Sequence, residues 1–397
     1  MPHDGATRAR PGGPAVLSAG FRPFFLLGAC WSAVAIPLWL AMFDGTANLP
    51  TVLLPWVWHA HEMVFGYAMA AVAGFLLTAI PNWTGRLPIQ GAALGGLVAL
   101  WLGGRIATLA SATIGAGAAA AIDLAFPAAF LAVVAREIVA GRNWRNLPML
   151  VALSLLLAAN ALVHAEALAL ADTAELGIRL GIGVLMMLIA LVGGRIIPSF
   201  TGNWLAKARP DVPRPAPTDR LDTGALILTA AAVAAWVAAP TTTVAAGLAM
   251  VSGVALAARL SRWRGRYTTA EPLLWVLHVG YAWLALGAFL LGVDIATSLL
   301  PATSALHAVT AGAVGTMTLA VMTRATLGHT GAALTAGAGT TAIYLLVTIA
   351  ALLRVGAPLA GAGYGLAVTV AGVCWTGAFA LYAALYGPRL LRPRGSA

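Results

Sequence analysis

Long apolar runs recur along the whole chain, and they limit what it can fold into more than any other feature. About twelve of these runs are long enough to cross the roughly 30 Å hydrocarbon core of a bilayer as helices. Only 9% of the residues are charged, whereas a water-soluble domain has about 25%. We therefore predict an all-α polytopic membrane protein with helices near 21–43, 55–81, 91–111, 115–135, 147–170, 176–200, 222–240, 242–260, 271–292, 298–323, 333–356 and 358–386.

The basic residues indicate how these helices are oriented. With both termini in the cytoplasm, most of the 23 Lys and Arg residues fall on the inner side, as the positive-inside rule requires. This pattern predicts a multi-pass membrane protein with a cytoplasmic tail at 1–20, one transmembrane domain at 21–386 and a basic cytoplasmic tail at 387–397. The net charge of +10 does not indicate nucleic-acid binding, because the basic residues form short clusters between apolar runs.

Three segments of the chain align without gaps, at 61–85, 178–202 and 307–331. Each has a glycine five residues after its start (Gly66, Gly183 and Gly312), and each ends in Thr-Gly. They fall in the second, sixth and tenth predicted helices. We therefore predict three pseudo-repeats of four helices, at about 21–135, 147–260 and 271–386, around a central interior that small residues allow to pack closely.

Histidines inside the bilayer are the candidate functional residues, because ionisable groups are costly there and usually mark function. Neutral imidazole is a good ligand for iron and for copper. His61 and His307 hold equivalent repeat positions, so we predict that they face each other as two axial ligands of one heme iron. The histidines form an outer set of His59, His61, His164 and His307 and an inner set of His278 and His329, with Arg195 and Arg324 near the inner set. His278 and His329 are predicted to bind a second metal centre.

Other interpretations of these residues remain open. Each histidine could be a hydrogen-bonded tie between helices, an interpretation that suits His164 best. His59 and His61 point about 200° apart on a regular helix, so they do not share a metal unless the helix begins irregularly. Glu62 could orient an imidazole or lie at the interface. Arg195 and Arg324 could pair with heme carboxylates or act as inner-side anchors.

Several strings resemble one known family: FRPFFLLG at 21–28, WHAHEMVFGYAMAAVAGFLLTAIPNWTG at 58–85, GGRIIPSFTGNW at 193–204 and HAVTAGAVGTMTLAVMTRATLGHTG at 307–331. They are similar to the NnrS family, over nearly the whole chain. The resemblance implies a twelve-helix inner-membrane protein that carries heme and copper and acts in denitrification or against nitrosative stress. The family's motif histidines correspond here to His59, His61, His278, His307 and His329, whereas His164 lies in a less distinctive stretch.

The arrangement also resembles heme-copper oxidases and nitric oxide reductases, which have twelve helices in three arcs with metal ligands on helices two, six and ten. This chain departs from that pattern, because its sixth helix has no histidine and its seventh lacks a His-His pair. The three-histidine copper site of that superfamily is therefore not expected in the same form.

We thus expect a protein that binds one or two heme b groups, with copper as a further metal, and that binds nitric oxide or a related gas. Quinol is one candidate electron donor, and heme-dependent oxidoreductase activity toward nitric oxide remains open. The alternative is a transporter or exporter of a metal or nitrosyl complex without redox chemistry. Transporters more often contain inverted repeats, whereas the repeated helices here run in the same direction. A signalling role is less favoured, because no output domain is recognisable.

Overall fold

The structure, a computed structural model, describes residues 13–299 and 301–393. Arg8, Arg10 and Arg394, which the sequence pattern assigns to the inner side, lie outside the described residues. The described residues form an all-helical fold with twelve helices long and apolar enough to cross a membrane. These are α1 (Phe21–Phe43), α2 (Pro55–Thr84), α3 (Ala92–Leu109), α4 (Ala116–Ala140), α5 (Trp144–Ala167), α6 (Ala174–Ala208), α7 (Arg220–Ala238), α8 (Thr243–Ser261), α9 (Pro272–Thr297), α10 (Ala302–Thr330), α11 (Ala338–Leu359) and α12 (Gly361–Leu391).

The predicted all-α polytopic fold is confirmed, with differences at the helix ends. α6, α10 and α12 extend past their predicted inner ends, to Ala208, Thr330 and Leu391. Hydropathy marks where an apolar run meets polar residues, but a helix continues beyond that point as long as its backbone hydrogen bonds do. The segment predicted as a basic tail at 387–397 therefore begins within α12.

The helices form a closed ring of three groups of four. α4 packs on α5, α8 packs on α9, and α12 packs back on α1, so each group contacts the next and the third contacts the first. α2, α6 and α10 contact one another inside the ring. The predicted arrangement of three four-helix groups around a shared interior is therefore confirmed.

Each of the three central helices contains a π-helical segment. These segments are Glu62–Ala68 in α2, Ile189–Gly193 in α6 and Ala308–Gly315 in α10. A π turn widens the helix and often occurs at functional sites. His61 and His307 directly precede the segments of α2 and α10, so their equivalence in the sequence repeat is also an equivalence in structure.

The shared Thr-Gly dipeptide ends two of the three repeated helices. α2 ends at Thr84 and α10 at Thr330, and the glycines that follow have φ angles of 69° and 83°. Only glycine adopts this left-handed conformation without steric cost. Gly202 instead lies inside α6, so the dipeptide in the second repeat does not mark a helix end.

Candidate functional site

A buried group of polar side chains joins α2, α4 and α5 near the end of the bundle where α2 begins. His61 Nε2 lies 2.8 Å from Asn160 Oδ1 and 3.2 Å from Asp123 Oδ2. His164 Nε2 lies 3.0 Å from the same Asp123 oxygen. One ligand atom from each of His61, Asp123 and His164 lies within 4.8 Å of the other two. Two imidazole nitrogens and one carboxylate oxygen form a donor set that suits zinc, copper or non-heme iron.

The same group contains a second carboxylate and an arginine that bridges the two. Arg105 of α3 donates from Nη1 to Glu62 Oε2 at 2.7 Å and from Nη2 to Asp123 Oδ1. Thr108 donates to Glu62 Oε1 at 2.9 Å. Gly66 leaves the space that the guanidinium occupies, since a Cβ there would lie 2.5 Å from Arg105 Nη1. We call Glu62, His61, Arg105, Asp123, Asn160 and His164 the charged cluster.

The hydrogen bonds of His61 determine how the charges in this cluster balance. Its Nδ1 lies 2.9 Å from Glu62 Oε1, so both ring nitrogens face oxygen atoms. A ring with hydrogens on both nitrogens is an imidazolium. In that form, the positive charges of His61 and Arg105 balance those of the two carboxylates. A metal ion on Nε2 would take the place of one of these hydrogens, so the cluster can be either a neutral ionic network or a metal site.

A separate pair of histidines lies between α2 and α10. The rings of His59 and His307 are 12° from parallel, and their centroids are 6.4 Å apart. The ring of Trp39 in α1 stacks on that of His59, with centroids 4.3 Å apart. His307 Nδ1 lies 2.7 Å from the Thr303 carbonyl, and a carbonyl can only accept, so Nδ1 carries the hydrogen. The Nε2 lone pair of the neutral ring is therefore available to a metal.

The histidine next to His307 is thus His59, whereas the sequence analysis placed His61 there. His59 and His61 diverge because successive residues turn about 100° around a regular helix, and α2 is regular up to His61. One histidine faces α10 and the other faces α4 and α5. The expectation that the two do not share a metal agrees with this geometry.

Arg354 lies on the helix that packs against the first turns of α10, where His307 is located. It occupies the last α-helical turn of α11, before the 3-10 turn Ala357–Leu359, and is 9% exposed. Its Nε and Nη1 have no hydrogen-bond partner among the described residues. We call His59, His307, Arg354 and Trp39 the outer histidine site.

The inner candidates have different neighbours. His278 Nδ1 lies 3.1 Å from the Leu274 carbonyl and its Nε2 lies 3.4 Å from the Trp263 carbonyl, so it ties α9 to the loop after α8. His329 is exposed and its ring packs 5.4 Å from that of Phe21. The ring nitrogens of His278 therefore face backbone oxygens of α9 and of that loop, whereas the ring of His329 packs against α1.

The two predicted arginines lie apart from the outer histidines. Arg195 is exposed. Arg324 places its guanidinium 4.1 Å from the centre of the Phe200 ring, which joins α10 to α6 by a cation–π contact.

Sequence reasoning missed Arg105, Asp123, Asn160 and Arg354. A signal for the three charged residues was present, because each of them lies inside a long apolar run, where charge is costly. Arg105 and Arg354 are also among the few basic residues that the predicted topology does not place on the inner side. Asn160 carries no charge, so the hydropathy of its run gave little indication of its role.

The fold and these sites define a polytopic membrane protein that buries a histidine–carboxylate cluster and holds a second, half-buried histidine pair between α2 and α10. Residues 15–394 match the family described as NnrS protein. The chain belongs to the NnrS family, and this membership links it to the nitric oxide response. No curated protein matches the chain in sequence.

Proposed function

We propose that this chain is a heme-binding inner-membrane protein of nitric oxide metabolism or of resistance to nitrosative stress. The observation that supports heme most directly is the pair of nearly parallel imidazoles of His59 and His307, 6.4 Å apart. Each residue offers an imidazole nitrogen from a different helix, so the two could hold one group between α2 and α10. Their donor chemistry fits a heme iron.

Each ring in this pair is held by a neighbour from the protein. The Thr303 carbonyl fixes the hydrogen of His307 on Nδ1, so the nitrogen available to iron is determined in advance. Trp39 covers one face of the His59 ring at 4.3 Å and restricts its rotation. His59 and His307 would hold the heme, which when bound would supply one-electron redox chemistry.

The charged cluster is the proposed place for a second metal, of which copper is the candidate that the family resemblance implies. His61, Asp123 and His164 would hold it, and Glu62 would orient His61 through Nδ1. This differs from the predicted second centre at His278 and His329, which remains a weaker proposal because backbone carbonyls lie next to both nitrogens of His278.

The test is an absorption spectrum and a metal analysis of the purified full-length protein. We expect a heme Soret band in the wild type and its loss in both His59→Ala and His307→Ala. Arg266→Gln is the control, because Arg266 is exposed in the segment after α8 and has no proposed role in metal binding, and it should keep the band. An unchanged spectrum in His59→Ala and His307→Ala would refute the assignment of this pair.

The second metal needs its own variants. We expect His164→Ala and Asp123→Asn to lower the copper content while the Soret band remains. Equal copper in these variants and in the wild type would show that the charged cluster is only an ionic network.

A further inference from the structure

Arg354 is a buried cation that lacks the partner such a residue normally has. It is 9% exposed, and no carboxylate among the described residues forms an ion pair with it. A buried charge without a partner is costly. Its place in the last α-helical turn of α11 provides some compensation from the helix dipole, but that leaves the N–H groups on Nε and Nη1 without acceptors.

Among the residues that the structure describes, neutral polar groups lie near Arg354, and no carboxylate forms an ion pair with it. His307 uses Nδ1 on the Thr303 carbonyl, and the Tyr364 hydroxyl lies against the guanidinium. Tyr364 packs on Phe43, and Phe43 packs on Trp39, so aromatic rings line the rest of the site. The arrangement therefore has positive charge, unfilled N–H groups and apolar walls, which are the features of a site for an anion with oxygen acceptors.

We propose that Arg354 binds an oxyanion group next to His59 and His307, either a carboxylate or a small inorganic oxyanion. The two sources share one chemistry, charge-assisted hydrogen bonds from a guanidinium to anionic oxygens. The carboxylate source is the heme itself, and that alternative rests on the proposed function. The inorganic source does not depend on heme.

This assignment differs from the predicted role of Arg195 and Arg324 as partners of heme carboxylates. Arg195 is exposed, and Arg324 rests on the Phe200 ring. Only Arg354, among these three, combines burial with nitrogens that lack an acceptor and a position beside the outer histidine site.

The experiment uses purified full-length protein, as wild type, Arg354→Gln, Arg354→Lys and the control Arg266→Gln, which changes an exposed arginine on the inner side. In the first arm, heme and heme dimethyl ester are titrated into heme-depleted protein. In the second arm, sodium nitrite is titrated into the same protein by calorimetry. Thermal unfolding of each variant tests whether it is folded. If Arg354→Gln does not fold, Arg354→Lys takes its place, because lysine keeps the positive charge.

If the ligand is a heme carboxylate, Arg354→Gln should bind heme at least about 10-fold more weakly than the wild type. The dimethyl ester, which has no free carboxylate, should then bind both proteins equally. If the ligand is a free oxyanion, nitrite should bind the wild type and Arg266→Gln, and lose at least about 10-fold in affinity in both Arg354 variants.

The proposal is overturned if Arg354→Gln and Arg354→Lys bind heme as the wild type does and nitrite shows no dependence on Arg354. A wild type that binds no heme but binds nitrite through Arg354 would refute the heme function and leave the anion site standing. If heme binds the wild type and Arg354→Gln equally well and nitrite binds neither protein, the heme function stands and the anion site is refuted.

Discussion

Buried charges differ in their pairing from one site to the other. In the charged cluster, Arg105 bonds to both Glu62 and Asp123, and His61 faces both carboxylates. At the outer histidine site, no carboxylate among the described residues pairs with Arg354, and its Nε and Nη1 both lack an acceptor. The charges of the charged cluster neutralise one another, whereas the charge of Arg354 has no carboxylate partner among the described residues. The two sites therefore respond differently when an arginine is removed.

Replacing Arg105 by methionine should destabilise the protein strongly. The change leaves Glu62 and Asp123 buried without their shared cation, and breaking one partner of a buried ion pair typically costs about 3–5 kcal/mol. The measurement is the unfolding of the purified protein in detergent.

Thr108→Val is the matched control for this change, because it removes one neutral donor to Glu62 from the same helix and should cost only about 1 kcal/mol. A loss in Arg105→Met no larger than in Thr108→Val would show that the charges are not buried together in the membrane-embedded protein.

At the residue scale, the sequence predicted that histidines of the second and tenth helices meet, but not which histidine of α2 does so. The alternation of His59 and His61 follows from helical geometry alone. The side that faces α10 depends on the rotation of α2, and packing against neighbouring helices sets that rotation. Asp123 and Arg105 were not predicted for the same reason, since ion-pair partners on different helices are chosen by tertiary packing.

At the scale of the element, the π segments are the feature that hydropathy could not predict. A π turn changes which backbone groups are paired without changing the apolar composition of the helix. Side chains from other helices satisfy carbonyls within two of the segments: Trp101 Nε1 donates to Gly66 O at 3.0 Å, and Arg259 Nη1 donates to Ala190 O at 2.7 Å. The irregular turns and the residues that cap them thus form one unit.

Gly66→Ala should disrupt the π segment of α2. A Cβ at this position would lie 2.9 Å from Glu62 Oε2 and 3.0 Å from Trp31 Nε1 as well as close to Arg105. We expect a loss of about 1–3 kcal/mol in the free energy of unfolding, as for other overpacked sites.

Gly96→Ala is the matched control, because no atom of the described residues lies within 4 Å of a Cβ there and alanine favours a helix interior by about 1 kcal/mol. Gly96→Ala should therefore unfold at the same temperature as the wild type or higher. Equal effects of the two substitutions would contradict the close packing at Gly66.

The start of α7 should respond to acid. Asp219 accepts from the Leu221 amide at 2.9 Å and pairs with Arg262 at 2.5 Å. Its hydrogen bond with Arg262 is the main cause that lowers the pKa of Asp219 to about 2. Since this pKa lies below its ordinary value of about 3.9, the stabilising contribution is complete above about pH 4 and is lost as the pH falls through about 2.

Amide exchange in the first turn of α7 measures this effect. Protection in the wild type should decrease between about pH 4 and about pH 2. Asp219→Asn keeps a side-chain oxygen for the cap but has no carboxylate to protonate, so its protection should not follow this decrease. A matching decrease in the variant would assign the acid response to another group.

At the scale of the whole molecule, the sequence predicted most of the architecture. Apolar run length set the number of helices, and the gapless repeat at 61–85, 178–202 and 307–331 indicated three equivalent groups. The closure of the ring by α12 on α1 could not be read from local pattern, because it joins the two ends of the chain. Ring closure is expected only after the three groups are known to pack on their neighbours in the same way. The third group then contacts the first.

The number of helices between two loops predicts whether the loops share a side of the membrane, and their charge predicts which side is the cytoplasm. Five helices, α2 to α6, separate the loop after α1 from the loop after α6, so the two loops lie on opposite sides of the membrane. The first has Asp44 and no basic residue between Asp44 and Leu54, whereas the second contains Arg209 and Arg214. The positive-inside rule therefore assigns the second loop, and with it both termini, to the cytoplasm.

Labelling of single cysteines tests this topology. In a chain with Cys30 and Cys374 replaced by serine, we introduce Thr46→Cys in the first loop or Ala216→Cys in the second. A maleimide that cannot cross membranes should label Thr46→Cys from the outer side of the inner membrane and should label Ala216→Cys only after that membrane is opened. Both helix number and charge distribution enter the expectation. If both positions are labelled from the same side, an even number of crossings separates the two loops, which contradicts the five helices of the structure. If the labelling is reversed, the helix number stands and the predicted orientation is wrong.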